Sequence, residues 1–147
     1  MDGKAEKEKT FQKYLNKKIL KMKIPIYQVD AFTSKVFKGN PAAVCPLDKW
    51  LPDKIMQEIA AENNLSETAF FINKKNIFDI RWFTPVSELD LAGHPTLATA
   101  HVIIKELNLK IDKIIFKTKI GDTLNVTKKK NLFIMDFPSR PPELYNN

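Results

Sequence analysis

The stretch Leu91-Ala92-Gly93-His94-Pro95-Thr96-Leu97-Ala98-Thr99-Ala100-His101-Val102-Ile103-Ile104 decides the fold. Beyond Pro95, the spacing of Leu97, Ala98, Ala100, Val102, Ile103, Ile104 and Leu107 predicts a helix over Thr96–Leu107 with apolar groups nearly all round it. Such a helix has no face to show to water. Strands must enclose it, and the flanking sequence supplies them: Ile24–Thr33, Ala42–Cys45, Thr68–Ile72, Phe78–Phe83, Lys113–Lys119, Thr123–Thr127 and Leu132–Phe137, each bounded by turn residues. Asn73 to Asn76, Gly121-Asp122 and Lys128 to Asn131 are suited to close hairpins between them. The expected class is α+β, with curved, mostly antiparallel strands wrapped around a central buried helix, which hides helix and sheet edges together.

A second helix packs one face only. Pro52 stands near its first position and Asp53 in its first turn, where a missing N–H costs nothing and a negative charge suits the helix dipole. Ile55, Met56, Ile59 and Ala60 form its apolar stripe, and Asn63-Asn64 can take the left-handed stop.

The 147 residues, 44% of them hydrophobic, suit one domain with one sizeable core. Four glycines and nine prolines exclude a collagen-like or linker chain, and no apolar run approaches the ~20 residues that cross a bilayer. The single cysteine, Cys45, lies in an apolar run, so it reads as a small core residue and excludes both an intrachain disulfide and a multi-thiolate zinc site. With no secretory signal, a reduced, cytoplasmic compartment is the expectation.

The net charge of +7 is concentrated at one end. Residues 1–23 carry eight lysines against three acids, leaving 16 basic and 14 acidic residues over 24–147. A nearly balanced body without an arginine-rich stripe or an RNP-type aromatic strand argues against nucleic acid as a partner. In the extension, Phe11, Tyr14, Leu15, Ile19 and Met22 recur at helical spacing, which reads either as an appended amphipathic helix or as a solvated extension. With no arginine and with Asp2, Glu6 and Glu8 present, it is not a mitochondrial presequence.

Two positions stand out for chemistry. Glu67 falls where the helix that starts at Pro52 gives way to a strand, and strand alternation puts it on a face with Ala69 and Phe71, with Phe70 on the other. A carboxylate sheltered there can both give and take a proton, while the plainer reading is an edge glutamate in a loop. His94 stands at or near the N-cap of the apolar helix beside Gly93, where backbone can approach a ligand and first-turn N–H groups attract an anion. It reads equally as a capping histidine or as an imidazole that positions a proton over a docked carboxylate. Gly39-Asn40-Pro41 reads as a turn, Glu88 and Asp90 as solvated loop charges, Asp30 as undecided and His101 as a packed helix residue. There is no Gly-x-Ser-x-Gly elbow, P-loop, Gly-x-Gly-x-x-Gly turn or His-Glu-x-x-His helix, so the usual hydrolase, nucleotide and zinc footholds are missing.

Six blocks together resemble the phenazine-biosynthesis PhzF-like family. They are Gln28-Val29-Asp30-Ala31-Phe32-Thr33, Gly39-Asn40-Pro41-Ala42-Ala43-Val44, Asn64-Leu65-Ser66-Glu67-Thr68-Ala69-Phe70, Arg81-Trp82-Phe83-Thr84-Pro85, Gly93-His94-Pro95-Thr96-Leu97-Ala98 and Met135-Asp136-Phe137-Pro138. The resemblance implies a diaminopimelate-epimerase-like fold and a cofactor-independent isomerase, using neither metal nor organic cofactor, that moves a proton within a small carboxylate-bearing metabolite. It assigns Glu67 as the acid/base and Ser66, Gly93 and His94 as substrate contacts. Ala92 stands where diaminopimelate epimerases carry a reactive cysteine, so two-thiol racemisation is not supported. The division it suggests is a basic extension over 1–22, an N-terminal domain over 23–140 and a linker-like tail over 141–147. The family's second domain supplies further active-site residues, so the expected partner is that domain or a second copy in a homodimer. The rival expectation is a noncatalytic binding or assembly module that keeps the half-fold.

Overall fold

A helix with no polar face forms only if strands surround it, and the computed structural model has that arrangement. It describes residues 21–139, with Lys13, Lys17 and Pro141 besides. The strands are β1 (Tyr27–Ala31), β2 (Asn40–Pro46), β3 (Glu67–Lys74), β4 (Ile77–Phe83), β5 (Glu88–Leu89), β6 (Lys113–Thr118), β7 (Thr123–Lys129) and β8 (Leu132–Asp136). They form one mixed sheet in the order β1-β2-β3-β4-β6-β7-β8, with β5 beside the far end of β4. Only β2–β3 and β4–β6 are parallel. The sheet curls, so the apolar helix touches β1 at one end of the strand order and β8 at the other.

That helix, α2, runs His94–His101 and continues as a π-helical turn over Val102–Glu106. It starts two residues earlier than the spacing predicts because Pro95 is tolerated within a first turn. Ala98, Ala100, Val102 and Ile103 are buried against Ala42, Val44, Ala69, Phe71, Ile80 and Trp82 from the concave side of the sheet. The other helix, α1 (Asp53–Asn63), is capped by Pro52 and stops at Asn64 in the left-handed conformation, φ 50°. It seats Met56 and Ala60 on the convex side, against Cys45, Phe70 and Phe83. The strands between the two helices are therefore buried on both faces. No helix among the described residues is long and apolar enough to cross a membrane.

Local chemistry sets the boundaries. Phe32, at φ 62°, ends β1 short of the expected Thr33, and Lys75 and Asn76, both at positive φ, make the two-residue β3–β4 turn. Gly121, at φ 95°, supplies the positive φ expected in the β6–β7 turn. A Cβ at Gly39 would stand 2.4 Å from Ala31 O, so only glycine lets the chain re-enter the sheet as β2 so close to β1. The stripe residues Phe11, Tyr14, Leu15 and Ile19, and the tail 141–147 apart from Pro141, lie outside the described residues.

Candidate functional site

The first residue of β3 is Glu67, paired with Ala42 of β2 in parallel register. Alternation puts its side chain on the concave face with Ala69 and Phe71, while Phe70 packs beneath α1. The two phenylalanines are both buried because each face of the sheet has its own helix, which answers the ambiguity left by the sequence. Glu67 stands where the start of β3 meets the start of α2, with its side chain 17% exposed. Gly93 caps α2 and His94 begins it, with the imidazole 10% exposed.

These elements bring together all four residues singled out above. His94 Nε2 lies 3.0 Å from Glu67 Oε2 and 3.3 Å from Ser66 Oγ. The serine hydroxyl donates to Pro41 O at 3.0 Å, with Asn40 Oδ1 a second acceptor at 3.3 Å. A hydroxyl has one proton. With that proton on Pro41 O, the Ser66 oxygen accepts from His94, which makes Nε2 the protonated ring nitrogen and directs its N–H at Ser66. The Glu67 contact is close but off the line a hydrogen bond needs, so Oε2 is buried without a hydrogen-bond partner. An unsatisfied buried oxygen costs about 1–3 kcal/mol and calls for an explanation, of which a reacting proton is one.

The backbone adds donors. Thr96 N–H and Leu97 N–H both donate to Gly93 O, at 3.1 and 3.2 Å, and Pro95 has no N–H. Gly93 and His94 are thus the residues whose amides face outward at the positive end of α2, beside the carboxylate. Thr96 and Thr99 hydroxyls donate back to Ala92 O and Pro95 O, at 2.6 and 2.7 Å, so these two buried hydroxyls are satisfied by backbone one turn earlier. The Gly93 Cα faces Met135 and Phe137 at 3.8 and 3.9 Å from where a Cβ would be, so β8 and its sequel form one wall.

Two features escaped the sequence. Asn40, read as a turn residue, presents its carboxamide to Ser66, and only the β2–β3 pairing reveals this. Phe32 is 73% exposed, with its ring centroid 6.3 Å from that of His94. The positive φ values at Phe32 and Phe37 bracket a loop that starts beside the site at Phe32 and holds Phe32, Val36 and Phe37 in solvent. An exposed aromatic at positive φ has no sequence signature.

Other candidates fall elsewhere. Asp30 Oδ2 accepts from Phe37 N–H at 3.0 Å and so shapes that loop. His101 packs edge-on to Phe133, and burial lowers its pKa. Cys45 is buried, which pushes its thiol up to about 12, as suits a core residue. Glu88 corrects the solvated-loop reading: it grips Arg81 through two hydrogen bonds of 2.7 and 2.8 Å. Among the described residues, no group of three or more His, Cys, Asp or Glu side chains is disposed to hold a metal ion.

Residues 29–147 match the family model described as phenazine biosynthesis-like protein. An uncharacterized isomerase of Pseudomonas aeruginosa is 51% identical over 122 residues, which is 83% of this chain and 47% of that protein. The crystal structure of a PhzF-family phenazine biosynthesis protein from Enterococcus faecalis superimposes with a TM-score of 0.74 at 48% identity, covering 84% of this chain and 48% of that one. A predicted epimerase of P. aeruginosa gives a TM-score of 0.62 at 25% identity over 76% of this chain and 41% of its own. The chain thus spans about half the length of the relatives it matches.

Proposed function

From the premise that the chain belongs to the phenazine biosynthesis-like protein family, with its diaminopimelate-epimerase-like α+β fold, we propose that it is a cofactor-independent isomerase shifting a proton within a small carboxylate-bearing metabolite. Similar proteins are named isomerases. The observation that carries the reading is Glu67 Oε2, buried without a hydrogen bond 3.0 Å from His94 Nε2 at the open end of α2. In the proposed cycle the substrate carboxylate sits on the Gly93 and His94 amides, where the helix end favours an anion. Glu67 takes a proton from an adjacent carbon and returns it to another. His94, held by Ser66, offers its N–H to the charge that develops between the two transfers. Positioning and one well-placed proton carrier are the contributions such a site makes.

The test is incubation with a panel of small unsaturated and amino-substituted carboxylates in deuterated water. Saturable deuterium incorporation at carbon is the expected result. Saturable carboxylate binding with no exchange in any member of the panel would reject the isomerase and leave the noncatalytic binding module.

The proposal extends to assembly. Phe32, 73% exposed, stands beside the site, with Val36 and Phe37, 73% and 91% exposed, farther along the same loop, and exposed apolar groups so grouped mark contact faces. A second domain or a second copy covers this loop, and in the homodimer two Glu67 side chains flank one cleft. Sedimentation should give a dimer that dissociates in a Phe32→Ser/Phe37→Ser variant; a monomer at high concentration rejects the pairing.

A further inference from the structure

We infer that the groove along the outer side of α1 is the docking site of the chain's own segment 11–20. The groove, about 530 Å³, runs between Met22 and Ile24, on the approach to β1, and Ile55 and Ile59 of α1. Cys45 lies at its base, and Glu58 and Glu62, one helical turn apart, line its edge. Met22 is 38% exposed and Ile26 53%, so apolar surface is open there.

The segment ahead of the groove carries the complementary chemistry. Phe11, Tyr14, Leu15 and Ile19 lead at helical spacing into Met22, which already lines the groove. Lys13 and Lys17 are helical and exposed, and with Lys21 they fall four residues apart on the side opposite that stripe. Lys18 alone sits within the stripe, so docking carries its ammonium to Glu58 and Glu62. Residues 11–20 as a helix would rise about 15 Å, close to the roughly 16 Å of the 11-residue α1 they would lie along. The segment lies ahead of the family-matched region.

The lone thiol at the base of the groove is the reporter. In the full chain carrying Leu15→Asp and Ile19→Asp, Cys45 is expected to alkylate roughly tenfold faster and the α1 amides to exchange several-fold faster, with circular dichroism of the strands unchanged. Glu58→Lys with Glu62→Lys gives a smaller acceleration, which Lys18→Glu reverses. Unchanged thiol reactivity and exchange in Leu15→Asp/Ile19→Asp overturns the docking. So does wild-type protection of Cys45 that disappears on dilution as a dimer dissociates, because the occupant is then the segment of a second copy.

Discussion

Glu67→Gln is expected to lower deuterium exchange into a carboxylate substrate by roughly a hundred- to ten-thousand-fold, the range that a positioned acid/base contributes. The same substitution should leave thermal stability within about 1 kcal/mol of the wild type, since it breaks no hydrogen bond of Oε2. The two readouts separate catalysis from architecture. A glutamate kept for the fold would lose stability on substitution, whereas a glutamate kept for its proton loses exchange alone and can even stabilise when neutralised, as strained functional groups do. Ser66→Ala sharpens the comparison: it removes the oxygen that accepts from His94 and should reduce exchange less, with Ser66→Thr restoring much of it. Exchange that survives unchanged in Glu67→Gln rejects the assignment of the shuttle, whatever happens to stability.

How far the sequence discloses this site depends on the range of the interactions. The enclosure of α2 was legible from Leu97 to Ile104 because a helix apolar on every side has one physical solution. Its π-helical turn was not, since Leu107 N–H reaching back to Val102 O at 2.9 Å changes the hydrogen-bond spacing without changing which residues are apolar. Alternation alone placed Glu67 with Ala69 and Phe71. That Phe70 is equally buried required α1 to lie across the other face, which no local pattern encodes. The contacts among Ser66, Asn40 and Pro41 span 25 and 26 residues and arise only when β2 and β3 pair in parallel. Strand β5 has two residues, too few to alternate, so the role of Glu88 was hidden. The available signal was Arg81 itself: a cation set between Ile80 and Trp82 in a strand that packs on both faces needs a carboxylate, and the carboxylate nearest in sequence, Asp79, pairs with Lys74 instead.

That cation carries the largest expected effect on stability. Arg81 extends from the convex side of β4 with its side chain 8% exposed, held by Glu88 from β5 and by Asp53 at 2.9 Å from the first turn of α1. Its guanidinium carbon lies 5.4 and 5.2 Å from the ring centroids of Trp50 and Phe83, and Lys119 joins the same carboxylates at 2.8 and 3.8 Å. Arg81 therefore ties α1 and β5 to the central strand, and the same two carboxylates bring in Lys119, the residue after β6. Arg81→Met should cost about 3 kcal/mol, the low end for removing one partner of a buried pair because Asp53 is mostly exposed, and lower Tm by on the order of 10 °C. Arg81→Lys should recover only part, since a lysine neither forks nor stacks as a guanidinium does. The pH dependence has a definite sign. The Arg81 hydrogen bond holds Asp53 below its ordinary value, and for Glu88 burial pushes upward but the Arg81 and Lys119 hydrogen bonds and charges outweigh it. Both carboxyls are lowered in the folded chain, so their contribution is complete above the ordinary carboxylate range near pH ~4 and is lost as pH falls through the folded values. The stability gap between wild type and Arg81→Met should accordingly be widest near neutrality and narrow in acid, where both partners are protonated. Denaturant titrations across that range measure it directly, and a gap that stays constant from neutral to strongly acidic pH would show that Arg81 stabilises by packing between Trp50 and Phe83 rather than by its charge.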